Sequence, residues 1–154
     1  MQINFSDWNK KPKTLLRYIK PGDIFCFLSG ENRYHFGRVM TRNRLGHVAE
    51  VFRDHLSIPD ASRLPAFERL WQPLILDSYS LFDRKLEGDW RIVGHQPGYS
   101  PDGTDDIFFT LGVEGSCKRV DIFDNEVPIT REEAKTLRDY SPMGDFDVKE
   151  ALGL

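Results

Sequence analysis

Histidine and cysteine side chains are the first candidates for chemistry in this chain. The histidines are His35, His47, His55 and His95. No two of them have the HxxxH spacing of zinc ligands, and the two cysteines do not form a CxxC pair. The phosphate-binding patterns GxGxxG and GxxxxGK[ST] are also absent. The sequence therefore predicts neither a metal site nor a bound cofactor.

A cysteine–histidine hydrolase is a second possibility to weigh. Cys26 lies between Phe25 and Phe27, and apolar surroundings raise a thiol's pKa and make it inert. Cys117 precedes Lys118 and Arg119, whose charges favour a thiolate, but no recognisable nucleophile motif surrounds it. We expect two free thiols and a protein that is not an enzyme.

Carboxylates are concentrated in the clearest loop of the chain, residues 96–106. This segment contains two prolines, two glycines and three aspartates, and it shows no hydrophobic periodicity. Loops of this length within a compact domain are often functional. The loop ends in the adjacent carboxylates Asp105 and Asp106, which we interpret as contact residues and not as a catalytic pair.

The charge of the chain is unevenly distributed, although the net value is only −3. Residues 1–54 contain ten Lys and Arg against five Asp and Glu, whereas residues 55–154 contain eleven against nineteen. Acidic surface speeds encounter with a basic partner and repels nucleic acid. The acidic half therefore suits a protein that binds a basic partner, although solubility alone would also explain it.

A tight turn and a three-stranded meander are the clearest structural pattern. Pro21 and Gly22 fit the central positions of a type II turn, because proline fixes the first φ and glycine accepts the positive second φ. Three strands joined by short polar breaks follow, at residues 24–28, 34–40 and 47–52. The apolar run of residues 24–28 is too short to span a membrane, and the first residues lack a secretory signal pattern. We expect a soluble, cytoplasmic protein.

The remaining pattern predicts a β-rich α+β fold. Residues 15–19 are compatible with a short strand or one helical turn, and residues 66–71 with a short helix between prolines. Further strands are predicted at residues 74–78, 90–95, 107–112 and 117–123. Thr130 and Glu133 form a capping box, which predicts a helix over residues 131–139, and one more turn is expected near residues 148–152. We expect one domain over residues 1–154, with six to eight short strands in a strongly bent antiparallel sheet or small open barrel and a carboxy-terminal helix.

One family resemblance is carried by the meander. The Gly22-Asp23-Ile24-Phe25 start, the aromatic strand after it and the second strand Phe36-Gly37-Arg38-Val39 resemble the opening of the immunity protein 26 family, which belongs to bacterial polymorphic toxin and contact-dependent growth inhibition systems. The resemblance is clearest over residues 21–52. It implies an inhibitor that binds a cognate toxin domain. We expect the motif residues themselves to stabilise the fold and not to contact the toxin.

If the resemblance holds, the acidic half supplies the toxin contacts. We predict that these lie in the long loop and beyond the second hairpin, at Tyr99, Asp102, Asp105, Asp106, Asp121, Asp124 and Glu126. Each also has a plain structural explanation: Asp102 and Asp124 precede turn residues, and Tyr99 could fill the core. The expected partner is a basic toxin domain, and its assignment as a nuclease rests on charge alone.

The competing hypothesis is a small β-barrel that binds RNA or other nucleic acid. Its support is a set of basic residues in the first third of the chain, interleaved with aromatic residues: Lys10, Lys11, Lys13, Arg17, Lys20, Arg33, Arg38, Arg42 and Arg44. The acidic second half and the sequence pI near 5.8 oppose it. We therefore expect no direct contact with nucleic acid.

Overall fold

Most strands belong to a six-stranded antiparallel sheet in the computed structural model, which describes residues 2–113 and 115–154. The strand order is β1-β6-β2-β3-β4-β5. The strands are β1 (Asn4–Phe5), β2 (Asp23–Leu28), β3 (Tyr34–Arg42), β4 (His47–Leu56), β5 (Arg69–Leu76) and β6 (Trp90–His95). The meander is confirmed, because β2, β3 and β4 are consecutive antiparallel neighbours.

A four-stranded sheet with the order β10-β7-β8-β9 follows in the chain. Its strands are β7 (Phe109–Leu111), β8 (Lys118–Val120), β9 (Glu126–Pro128) and β10 (Arg138–Asp139). Within this sheet, β10 pairs with β7 in parallel, whereas β8 pairs antiparallel with β7 and with β9. The helices are α1 (Arg131–Ala134) and α2 (Asp145–Leu152), with short 3-10 turns at Leu16–Tyr18 and Ala61–Arg63 and a π turn at Tyr79–Asp83. The predicted β-rich α+β class is confirmed.

Strand β2 is the centre of the core because both of its faces are covered. Ile24, Phe25, Cys26 and Phe27 are all 0% exposed. A strand buried on both faces appears in the sequence as a continuous apolar run instead of an alternation. On one face, Phe27 stacks on Trp90 with 4.0 Å between the ring centroids.

Helix α2 packs on that aromatic face of the sheet. Its buried residues Val148 and Leu152 belong to the same apolar cluster as Phe27 and Trp90. The indole Nε1 of Trp90 donates a hydrogen bond of 2.8 Å to Asp145, in the first turn of α2. Together with the bond from Met143 N–H to the Ile75 carbonyl, this contact fixes the start of the helix against the sheet.

Gly37 allows β2 and β3 to approach each other. A Cβ atom at this position would overlap the Phe25 ring and the backbone carbonyl of Glu50. Gly37 pairs with Phe25 on one side and Val51 on the other, next to a bulge. The glycine therefore provides the space into which the central aromatic ring packs.

The predicted turn at Gly22 and the predicted helix cap at Thr130 are both confirmed. Gly22 has a φ of +92°, and Asp23 N–H donates to the Lys20 carbonyl across the turn. Thr130 accepts a hydrogen bond from Glu133 N–H, as its predicted role as a helix cap requires. The segment around residue 17 takes the helical alternative, as a 3-10 turn.

Two helix predictions are wrong in extent or type. The expected helix over residues 66–71 is absent, because β5 begins at Arg69 and pairs with β4. Sheet pairing at this edge outweighs a weak local helical preference. The helix that starts at Arg131 ends at Ala134 instead of Asp139, because Arg138 and Asp139 pair with β7.

No helix among residues 2–113 and 115–154 combines the length and apolarity needed to cross a membrane.

We predict that Gly37→Ala destabilises the protein much more than Gly94→Ala. At Gly37 the added methyl meets a ring and a backbone that cannot move apart, so the free energy of unfolding should fall by about 3 kcal/mol. At Gly94 the nearest atoms lie 3.0 Å away in the short strand β1, which can shift. Urea unfolding of both variants measures the difference, and equal losses would contradict the packing role of Gly37.

Acid should weaken the fold through two buried histidines. Burial lowers the pKa of His35 and of His47 to about 4 in each case. Between that value and the ordinary pKa of 6.5, the unfolded chain binds more protons, so stability falls as pH falls. Each histidine should cost about 2 kcal/mol between pH 7 and pH 5. Unfolding of His47→Asn at both pH values should show a smaller loss, and an unchanged loss would contradict this assignment.

Candidate partner-binding surface

A buried ion pair lies beneath the start of the long acidic loop. Glu50 on β4 is only 4% exposed, and Arg38, its cross-strand neighbour on β3, donates to it at 3.2 Å. Arg69 on β5 donates to the second carboxylate oxygen at 3.5 Å. The carboxylate thus joins three adjacent strands through two guanidinium groups.

Apolar clusters flank this ion pair on the same face of the sheet. The Arg38 guanidinium lies 5.6 Å from the centroid of the Phe52 ring, which belongs to a cluster with Trp8 and Ile24. Arg69 contacts the sulfur of Met40, which belongs to the cluster that joins this sheet to the second one. Since buried charges are costly unless paired, the arrangement fixes where each side chain lies.

Tyr99 is held by the same ion pair. The Arg38 guanidinium lies 4.5 Å from the centroid of the Tyr99 ring, and its Nη1 donates to Gln96 Oε1 at 2.8 Å. Burial raises the pKa of Tyr99 to about 12, and the negative charge of Glu50 adds to the rise. Arg38 therefore connects the sheet to the first residues of the loop.

The Pro21–Gly22 turn provides a second attachment for the loop. Gln96 N–H donates to the Gly22 carbonyl at 2.9 Å, and a Cβ at Gly22 would collide with the Gln96 carbonyl and with Tyr99. The neighbouring Asp23 carboxylate, which is almost fully buried, pairs with His95 Nδ1 at 2.9 Å. Residues 95–99 are therefore clamped on one side of the sheet.

Beyond this clamp, the predicted contact residues Asp102, Asp105 and Asp106 are exposed. Among the described residues, none of the three carboxylates has a hydrogen bond or an ion pair. Asp106 lies at a groove of about 330 Å³. These three positions are thus free to meet a partner, whereas Tyr99 is already packed within the protein.

The structure places Asp124 and Glu126 around Arg44 and Asp121 in the turn that leads to them. Arg44 donates to Glu126 at 3.2 Å, its backbone N–H donates to Asp124, and Tyr140 donates to Asp124 at 2.6 Å. Asp121 accepts hydrogen bonds within the turn that follows β8. Although burial opposes it, these bonds lower the pKa of Asp121. Asp124 and Glu126 already link the two sheets through Arg44, and Asp121 stabilises its own turn, so any role in partner binding would be additional.

The thiols show little of the environment that activates a nucleophile. Cys26 is 0% exposed, and burial raises the pKa of its thiol far above the ordinary value. Cys117 is half-buried, with its sulfur 3.4 Å from the Val113 carbonyl oxygen. In the described part of the chain, no group of three or more His, Cys, Asp or Glu side chains is placed to hold a metal ion.

Comparison with protein-family models shows which family this chain belongs to. The family model described as immunity protein 26 matches residues 20–121, from the first turn through the long loop to the end of the second hairpin. The chain belongs to the immunity protein 26 family. Searches of curated proteins and of solved structures gave no match. Family membership supports a role as an immunity protein, which implies a toxin as partner.

The motif residues of this immunity protein have defined structural roles. Gly22, Asp23 and Arg38 hold residues 95–99, while Gly37 admits the Phe25 ring to the core. Sequence reasoning missed the buried Glu50 carboxylate, with which both Arg38 and Arg69 pair. The available signal was an ionisable residue within the apolar stretch from Val48 to Phe52, since such residues are rarely buried unless paired.

We predict that Arg38→Leu destabilises the immunity protein much more than Arg44→Leu. Loss of Arg38 leaves a buried carboxylate with only Arg69, at a cost of about 3 kcal/mol in the free energy of unfolding. Arg44 has a half-exposed side chain, so its loss should cost at most about 1 kcal/mol. Chemical denaturation compares the two variants. Similar losses would show that Arg38 is not the main partner of Glu50.

Proposed function

We propose that this immunity protein neutralises a basic toxin domain of the nuclease class by covering its active site or substrate groove. The observation that carries the proposal is the state of Asp102, Asp105 and Asp106, which are exposed and, within residues 2–113 and 115–154, free of internal partners. A preformed surface of about 800 Å² on each partner would suffice for a stable complex.

Electrostatics supports an acidic contact surface. The loop is anchored by Arg38 and Gly22 at its start, so its carboxylates are presented without a large ordering cost on binding. A nuclease must hold a polyanion and therefore carries basic residues at its substrate groove. Carboxylates placed against those residues speed association and occupy the positions that the nucleic acid would use.

Two of the basic residues that favour the nucleic-acid alternative are paired with carboxylates of the same chain. Arg38 pairs with Glu50, and Arg44 pairs with Asp124 and Glu126. The proposal places the protein in the cytoplasm of the producing cell, where an incoming toxin would act. No catalytic step is required of it, because binding alone excludes the substrate.

The first experiment co-expresses the chain with the candidate toxin domain encoded beside it. A stable complex together with restored growth is the expected result. A free toxin domain, unrestored growth and specific binding of the chain to RNA would overturn the proposal in favour of the nucleic-acid alternative.

The double variant Asp105→Lys/Asp106→Lys tests the loop itself. We expect the affinity for the toxin domain to fall by about tenfold or more, mainly through slower association at low salt. Stability should be unchanged because both side chains are exposed. Kinetic binding measurements at two salt concentrations provide the readout.

A matched control separates a local contact from the change in total charge. Glu31→Lys/Glu150→Lys makes the same charge change at two exposed positions outside the loop. If both double variants lose the same affinity, the effect is one of net charge and the loop is not the contact surface.

A further inference from the structure

The groove beside Asp106 lies between the edges of the two sheets. One wall is formed by Gln72 and Pro73 of β5, the edge strand of the six-stranded sheet. The other walls are residues 106–108 before β7 and residues 136–138 at β10, the edge strand of the second sheet. With a volume of about 330 Å³, the groove has room for a partner's side chain.

Arg138 in this groove is an uncompensated cation. Its side chain is half-buried, and its Nε is fully buried with no hydrogen-bond partner. Across the described residues, its guanidinium makes no ion pair and no hydrogen bond. Burial lowers the pKa of Arg138, which reflects the cost of holding this charge away from water. A charge that is partly withdrawn from water gains from an anionic partner, so an anion supplied by another molecule would complete this arrangement.

A second arginine reinforces the positive character of this end of the sheet. Arg119 lies with its guanidinium 4.3 Å from the centroid of the Phe108 ring, and Phe108 lines the groove. The Nε of Arg119 is also buried without a hydrogen-bond partner. Arg119 and Arg138 lie on the two strands that flank β7, where Arg119 pairs with Thr110 and Arg138 with Phe109.

Trp71 provides an aromatic anchor next to the groove. It immediately precedes Gln72 and Pro73, and its side chain is 64% exposed. Its φ of +59° is a conformation that bulky residues rarely adopt. Leu70 pairs with Val51 and Leu74 with Ala49, so Trp71 lies in a bulge of the edge strand opposite Glu50.

This bulge also interrupts the open edge of β5, which protects the sheet from pairing with another strand. The backbone at Trp71 is thus strained, and this strained conformation holds the indole in solvent. Tryptophan and arginine are the residue types most enriched among binding hot spots, whereas a solvent-exposed indole does little for the fold.

We propose that the groove receives a carboxylate side chain of the toxin domain, which pairs with Arg138 while the toxin surface packs on Trp71. This inference rests on the proposed function and names the contact that would make the complex specific. The ligand of Arg138 would be a protein carboxylate and not a nucleic-acid phosphate. Asp105 and Asp106 lie beside the groove and would repel a chain of phosphates. On an otherwise basic toxin surface, a single acidic side chain would pair with Arg138, while the basic residues around it would pair with Asp105 and Asp106.

The first test measures binding of the toxin domain encoded beside this chain to Arg138→Gln and Trp71→Ala. Each variant should weaken the complex by about 30-fold or more, as hot-spot residues do. Arg53→Gln and Leu86→Ala are matched controls at exposed positions away from the groove and should change the affinity by no more than about twofold. If the wild-type complex forms and the groove variants behave like the controls, this inference is wrong while the proposed function stands. If no wild-type complex forms, both are overturned.

Fluorine NMR locates the contact directly. The chain contains three tryptophans, and Trp8 and Trp90 are buried, so 5-fluorotryptophan at Trp71 is the solvent-exposed reporter. Toxin binding should shift the Trp71 resonance, which Trp71→Phe identifies by its absence. Binding that leaves this resonance unchanged would exclude Trp71 from the interface.

Double-mutant cycles test the chemistry of the occupant. Each Asp and Glu of the toxin domain is replaced by its amide and combined with Arg138→Gln. One carboxylate should show coupling of about tenfold, because the two groups act as one pair. Additive effects at every carboxylate would overturn the assignment. Binding of an RNA oligonucleotide that is lost in Arg138→Gln would overturn it as well, with phosphate as the true ligand.

A measurement without the toxin checks the premise that Arg138 has no internal partner. Arg138→Met keeps the length of the side chain and removes the unpaired charge, so its urea midpoint should equal or exceed that of the wild type. Arg138→Gln is used for the binding measurement and Arg138→Met for the stability measurement. A folding defect in one variant therefore does not obscure the result from the other. A clearly lower midpoint for Arg138→Met would show that the fold already uses this charge, which would overturn the proposal.

Discussion

The buried carboxylate of Glu50 is the constraint on which the position of the acidic loop depends. A negative charge inside an apolar sheet must be neutralised where it lies, and Arg38 and Arg69 reach it from the neighbouring strands. Arg38 then becomes a rigid platform for Gln96 and Tyr99. The position of the acidic loop is therefore a consequence of charge pairing inside the sheet.

The doubly covered meander makes this platform stiff. Both faces of β2 are buried, and Gly37 lets the Phe25 ring pack directly against the neighbouring backbone. One face holds helix α2 through the aromatic cluster and Asp145, while the opposite face holds the ion pair and the second sheet. A loop attached to such a scaffold can present charged groups with little loss of conformational freedom on binding.

The charged residues of this immunity protein fall into those that the fold uses and those that it leaves free. Asp23, Glu50 and Asp124 have internal partners, so their charge contributes to positioning. In the part of the chain that the structure describes, Asp105 and Arg138 lack such partners although they lie at the same end of the molecule. This division is the physical basis of the proposed mixed-charge contact surface, since unpaired groups are the ones that gain most from a partner.

The sequence by itself determined the local features whose signals are stereochemical. The turn at Gly22, the meander from β2 to β4, the cap at Thr130 and the buried state of Cys26 follow from glycine freedom, apolar runs and capping chemistry. The resemblance in the motif strands also gave the family correctly. Tertiary structure decided what depends on residues distant in the chain. Pairing with β7 cut the predicted helix at Ala134, pairing with β4 turned Arg69 into a strand residue, and the packing of two sheets left Arg138 without a partner among the described residues. No local pattern encodes these outcomes, because strand pairing and charge pairing are settled by neighbours that only the complete fold brings together.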